Sequence, residues 1–356
     1  MGGNSFRSSR SPAGPIDHAA CAIASPPILH EPAFPERPLG GRIRHFLLGI
    51  SADHASCTRR GFVVTERSRR ERLEEIGRTF IEGYNAALRL GDPETMTPRF
   101  GAVAGELEGF AYEGAAMGFA VVDLISPWPR RRFLRFVARA ARRHVYMAHV
   151  GAGWALARTS LRLAPRLGPL DPLLRWLVID GYGFHAGYFH HHDAIDRQRR
   201  PSVVHGYSQN VFDQGLGRAL WFVKGADIAG VTAAVRAFPQ HRRADLWSGV
   251  GLAVAYAGGV GAEELAALFS AAGPYRLELG QGAAFAAKAR EGAGNPADHT
   301  EDACRVFCRH DAAKAAAITD LALEGLDVTD SAAAYAAWRA NIRQRLGASP
   351  EKERPG

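Results

Sequence analysis

A pair of glycines two residues apart, followed by small and aromatic side chains, recurs five times in this chain. The copies are Gly151-Ala152-Gly153-Trp154-Ala155, Gly181-Tyr182-Gly183-Phe184-His185, Gly215-Leu216-Gly217-Arg218-Ala219, Gly249-Val250-Gly251-Leu252-Ala253 and Gly280-Gln281-Gly282-Ala283-Ala284. Successive first glycines are 30, 34, 34 and 31 residues apart, and a looser copy, Glu113 to Phe119, lies 37 residues upstream of Gly151. A period near 33 holds two short helices and two turns, the unit of a helical repeat array. Glycine inside a helix costs about 1 kcal/mol against alanine. Its recurrence implies that neighbouring helices approach closely, or that room is left for a ligand. The expected fold is therefore all-α, with tandem helix-hairpin repeats of about 33 residues in a curved or closed array. The second helix of successive units is read at Leu170 to Ile179, Ile228 to Phe238, Ala262 to Ala271 and Ala303 to His310.

The rest of the chain agrees with a helical reading. Arg67 to Leu90 carries Leu73, Ile76, Phe80, Ile81 and Tyr84 at helical spacing, and Gly91-Asp92-Pro93 stops it. Alternating β-branched runs and Asn-Gly turns are scarce, so strands are not expected. Residues 1–38 are rich in Ser, Pro and Gly without an apolar period and read as disordered. Residues 39–345 read as one helical domain, and residues 346–356 as a frayed tail.

Composition narrows the function classes. Of 356 residues 47% are hydrophobic, yet no run of about 18 uncharged apolar residues suggests a transmembrane helix. A signal-peptide core is not expected, because Ser25-Pro26-Pro27 interrupts the only early apolar run. The formal charge of +8 rests on arginine, with 40 Arg and 4 Lys among 44 basic residues. Its dense runs sit between apolar segments, so they read as solvated helix ends and loops and not as a nucleic-acid interface. Four cysteines without CxxC spacing fit a reduced cytoplasmic protein and give no structural zinc site. His190-His191-His192-Asp193 with Asp196 is followed at once by Arg197, Arg199 and Arg200, which oppose a cation, so it reads as a solvated loop. Neither a metal nor another cofactor is expected: no strand precedes the glycines as a dinucleotide fingerprint requires, and no Gly-x-Ser-x-Gly elbow exists.

The glycine-bearing segments concentrate the side chains that carry chemistry. Tyr112, Trp154, Tyr182, Phe184, Tyr188, Trp221 and Tyr256 would give an apolar, ring-lined pocket able to shield a developing positive charge. Beside the same glycines stand Glu113, His149, Asp180, His185, Asp213, Gln214, Ser248 and Gln281. Asp180 and Glu113 are the candidate general acids, because burial against aromatics raises a carboxyl pKa. His149 and His185 would relay or orient the proton, and Asp213 completes the candidate catalytic set. Gln214, Ser248 and Gln281 join the rings as candidate substrate-binding residues. The plainer reading of all of them is an ordinary core with helix caps.

At these residues the chain resembles a bacterial family of unknown molecular function labelled enediyne biosynthesis protein. The matching stretches are Leu39 to Ile50, Arg60-Gly61-Phe62, Gly109 to Met117, His149 to Ala155, Asp180 to Phe189, Asp213 to Arg218 and Leu246 to Leu252. The likeness runs from about residue 39 to 345. It implies a natural-product gene-cluster setting and carries over no catalytic residue. Two functional expectations follow. One is an enzyme of secondary metabolism, a cyclase or isomerase that starts acid-initiated cyclisation or isomerisation of a hydrophobic polyene or isoprenoid-like intermediate. The other is a non-catalytic helical-repeat accessory protein that binds a carrier protein, other enzymes of the pathway or a polyene product. Peripheral membrane contact is compatible with either, whereas nucleic acid is not an expected partner.

Overall fold

A computed structural model describes residues 39–96, 103–126, 131–159 and 170–348. The expected disorder of residues 1–38 and most of the expected frayed tail lie outside these. Among the described residues the chain is all-helical, with fifteen α-helices and no strand. They are α1 (Leu39–Leu48), α2 (Cys57–Arg60), α3 (Arg67–Leu90), α4 (Gly105–Ile125), α5 (Arg132–Ala138), α6 (Val145–Thr159), α7 (Arg175–Phe189), α8 (Ser208–Val223), α9 (Ile228–Ala237), α10 (Gln240–Ala257), α11 (Ala262–Ala272), α12 (Arg276–Ala293), α13 (Asp298–Phe307), α14 (Ala312–Leu321) and α15 (Ser331–Gly347). Local chemistry sets several ends. Asp227, Asp311 and Asp330 accept backbone N–H groups at the starts of α9, α14 and α15, and Gly91 ends α3 at φ 69°.

Seven helices, α3, α4, α6, α7, α8, α10 and α12, pack side by side in chain order. They run parallel, because neighbours meet at a nearly constant offset. Asn210 bonds Asp245 near the start of α8 and α10, and the Trp221 indole bonds the Gly258 carbonyl just past the end of α10.

The glycine pairs explain this packing. At 3.6 residues per turn, residues two apart point to nearly opposite sides of a helix. The first glycine faces the preceding helix and the second faces the next. A Cβ on Gly181 would overlap the Val150 carbonyl of α6, and one on Gly183 the Phe212 carbonyl of α8. The same holds for Gly151 and Gly153, Gly215 and Gly217, and Gly249 and Gly251. In α12 the register moves by two residues: Gly282 meets the Ser248 carbonyl of α10, while Gly280 faces Phe307 of α13. Gly114 meets the Phe80 carbonyl of α3, so α4 belongs to the same row.

The segments between these helices are uneven. Full helices α9 and α11 return the chain from α8 to α10 and from α10 to α12, whereas a short π-turn at His192–Asp196 lies between α7 and α8. Leu170 to Ile179 is not a return helix, since its second half, from Arg175, is the start of α7. Its apolar pattern belongs to the buried glycine helix itself. Ala303 to His310 covers only the latter part of α13 and the turn after it.

The row also meets itself. Tyr256 of α10 packs edge-on against Phe110 of α4 at 5.2 Å, and Arg290 of α12 donates to the Glu106 carbonyl of α4. The inward faces of opposite helices therefore fill the middle with side chains.

Candidate functional site

Position relative to the glycine that meets the preceding helix decides where each polar residue goes. The residue one before it points inward. These residues are Glu113, Val150, Asp180, Gln214, Ser248 and Gln281, all buried. Four of them form a ladder across neighbouring helices. The Gln214 amide donates to Asp180 Oδ2 at 2.8 Å, and Ser248 Oγ donates to Gln281 Oε1 at 2.9 Å and stands 3.5 Å from Gln214 Oε1. Arg339 of α15 ends the ladder on Gln281 and pairs with Asp245 at 2.8 Å.

The residue two before the same glycine points outward, and three expected site residues go there. Tyr112 stacks on His144 at 4.1 Å, and burial pushes its pKa up to about 12. His149 Nδ1 bonds its own helix at Val145, and its ring meets the edge of Phe133 of α5. Asp213 is gripped by Arg200 and Arg242, the latter through two bonds of 2.8 and 2.5 Å. Tyr182 lies between its two glycines, beside Phe212, and does not line the cavity described below. These four residues do not join the inward set, because a step of one residue turns a side chain by about 100°.

On the inward side the two candidate acids have opposite surroundings. Asp180 accepts from Arg218 Nη1 at 2.5 Å as well as from Gln214. Burial pulls the Arg218 guanidinium down, but attraction from Asp180 and Glu113 outweighs it and holds the group protonated. Asp180 is thus one half of a fully buried ion pair. Both carboxylate oxygens of Glu113, by contrast, are buried and have no hydrogen-bond partner. Burial pushes the Glu113 pKa up, Arg218 opposes this, Asp180 adds to it, and the result is about 7. The Trp154 indole N–H faces this carboxyl and also lacks a partner of normal geometry.

Glu113 and Trp154 line a cavity of about 40 Å³. Its wall is a chain of rings: Phe80 to Trp154 at 4.7 Å, Trp154 to Phe184 at 4.9 Å, and Phe184 to Phe222 at 5.3 Å. Phe110 and Tyr188 complete it, and Ile50 and His54 of the segment after α1 also line it. Arg218 stacks over Phe184 at 4.6 Å. On its other side, Arg218 and Tyr256 border a second cavity of about 30 Å³ with Met147, Leu177 and Phe285. Both voids hold only a few water-sized groups, well below the roughly 300 Å³ of a ligand pocket. The open chamber expected from the ring count is filled by the rings themselves.

His185 packs against the edge of Trp154 at 5.6 Å, and burial with repulsion from His190 lowers its pKa to about 3. It is therefore a neutral imidazole at pH 7. Trp221 is buried and spends its N–H on Gly258. Of the expected set, Glu113, Trp154, Phe184 and Tyr188 meet at one cavity, with Asp180 beside them through Arg218. Sequence reasoning passed over Arg218, Phe80 and Phe110 as site residues. Arg218 was within reach, since it stands three residues after its glycine, as Trp154 and Phe184 do after theirs. In the His190 to Asp196 stretch, His192 bonds Asp196 at 2.8 Å and Arg197 bonds Asp193 at 2.9 Å.

No curated protein and no solved structure matches the chain. A match to one family covers residues 39–346, from the first residue of α1 almost to the end of α15. The chain with this inward-facing acid belongs to the family described as "Protein of unknown function (DUF1702)".

Proposed function

We propose that the protein is an enzyme of secondary metabolism, in an enediyne-type or related natural-product pathway, that acts on a hydrophobic polyene or isoprenoid-like intermediate. The observation that supports this reading is Glu113: a buried, unpartnered carboxyl with a pKa near neutrality, set among aromatic rings. The reaction is acid-initiated cyclisation or isomerisation. Protonated Glu113 gives its proton to one carbon of a C=C bond, forming a C–H bond and a cation on the other carbon. A second C=C donates its electron pair to close a C–C ring, or the double bond shifts. Loss of a proton from the neighbouring carbon returns it to Glu113, so atoms and charge balance without an oxidant or reductant. Trp154, Phe184 and Phe222 offer ring faces to the cation, and Arg218 stabilises the transient Glu113 carboxylate. Binding requires the Ile50 to Ala55 segment to move aside, since the closed cavity is about 40 Å³. The architecture is read as a tandem array of units of about 33 residues, with the glycine helices as its inner wall.

The test is incubation of the full-length protein with candidate polyenes and prenyl substrates, followed by mass spectrometry of the extracts. A product of unchanged mass and altered retention is expected, with a rate that falls as pH rises through about 7. Glu113→Gln should abolish it. Full turnover by that variant would remove the acid assignment. The filled interior favours a second reading, a non-catalytic accessory protein for a carrier protein or polyene product. Retained binding of a polyene with no product from any substrate would select it.

A further inference from the structure

The first helix of the domain presents large apolar side chains to solvent. Leu39, Ile43, Phe46 and Leu47 are 73%, 49%, 87% and 69% exposed. Their spacing of four, seven and eight residues from Leu39 places all of them on one face of α1. The opposite side is fixed to the protein: Gly41 sits against the Arg89 carbonyl, and the Leu48 carbonyl accepts from Tyr84 Oη at 2.9 Å. The exposed face is thus held rigidly outward. Ile125, 53% exposed, ends α4 at the same end of the row, where Gly118 packs against Tyr84 and Ala87 of α3.

The charge around this face is positive. Arg42 is exposed on α1 itself, and Arg158 reaches the Leu48 carbonyl from α6. Arg131 is exposed at the start of α5, which borders the Gly91 turn through Arg132. The nearby acids are already matched: Asp92 by Arg135, Glu94 by Arg139 and Asp123 by Arg132. Glu82, one turn further back on α3, has Arg78 as its charge partner. An apolar stripe flanked by arginines that have no acidic partner among the described residues fits a bilayer surface with anionic headgroups: the stripe enters the acyl boundary and the guanidinium groups meet phosphates.

We propose that α1 seats this protein on the surface of an anionic membrane. The seat is continuous with the Glu113 cavity, because α1 leads through Leu48 directly to Ile50, which lines it. Apolar molecules dissolved in the bilayer would then lie beside the segment that covers the cavity. The surface assignment itself stands independently of the role of Glu113.

The experiment is co-sedimentation of the full-length protein with phosphatidylglycerol-containing vesicles and with phosphatidylcholine vesicles, at low and high salt. The wild type should pellet with the anionic vesicles and be released by salt. Phe46→Ser with Leu47→Ser should weaken binding about tenfold or more at an unchanged circular dichroism melt, since both side chains face solvent. Equal pelleting of wild type and double variant would overturn the proposal, as would equal pelleting with both vesicle types or none with the anionic ones. So would light scattering that shows a wild-type dimer dissociated by the double variant, because a second copy would then be what covers the face.

Discussion

Glu113 and Asp180 show how neighbouring acids acquire different chemistry. Both are one residue before a glycine and both are buried, yet only Asp180 reaches the Arg218 guanidinium at hydrogen-bond distance. Glu113 pays the desolvation penalty without that bond, and its pKa rises from 4.5 to about 7. Between those values the folded protein keeps a proton that the unfolded chain has released, so stability falls as pH rises across the window. The accumulated loss is about 3 kcal/mol at its upper end. Glu113→Gln carries no charge to desolvate. Urea unfolding should find the variant more stable than wild type at pH 8, with a gap that narrows toward pH 5. A gap of equal size at both pH values would mean that Glu113 is not held protonated. Together with the expected loss of turnover, this describes an acid kept at a cost in stability.

At the scale of the helix, the glycine pairs are a packing device, and their spacing follows from helix geometry. Two residues span about 200°, so one bare Cα serves each neighbour. The contact partner is backbone on both sides, which a rotamer change cannot relieve. Gly215→Ala would set its Cβ against the Asp180 carbonyl and the Phe184 amide and should cost about 3 kcal/mol or more in urea unfolding. Gly105→Ala, in the first turn of α4 with open space around it, should be neutral or slightly stabilising. Equal effects at the two sites would show that the helices do not depend on this close approach. The same device hid the start of α7 from sequence reasoning. A helix buried on nearly every side lacks a polar stripe, so Leu170 to Ile179 looked like a separate apolar segment.

Across the molecule, α15 fastens distant parts of the array. The Trp338 indole donates to the Thr319 carbonyl of α14 at 2.8 Å and its ring packs on Phe285 of α12, while Tyr335 stacks with Trp176 of α7. Arg339 joins Asp245 of α10 to the end of the polar ladder. Arg339→Ala would leave a largely buried carboxylate and Gln281 without this partner and should cost about 3–5 kcal/mol. Chemical denaturation monitored by far-UV circular dichroism would measure it. A loss below about 1 kcal/mol would place the pair with ordinary surface bridges.

The helical class, the glycine period and the acids beside it were all legible in the sequence, because each depends on local spacing or composition. The division of those acids was not. Whether Glu113 or Asp180 has a partner depends on Arg218, more than 30 residues further along the chain from either, and on which face a register of one or two residues presents. The fate of the pocket was equally hidden. Rings counted along a chain do not reveal whether they surround a space or occupy it, and here the meeting of opposite helices left two small voids in a packed interior. Periodicity records which side chains leave the same side of a helix, but only the three-dimensional approach of other helices decides what they meet there.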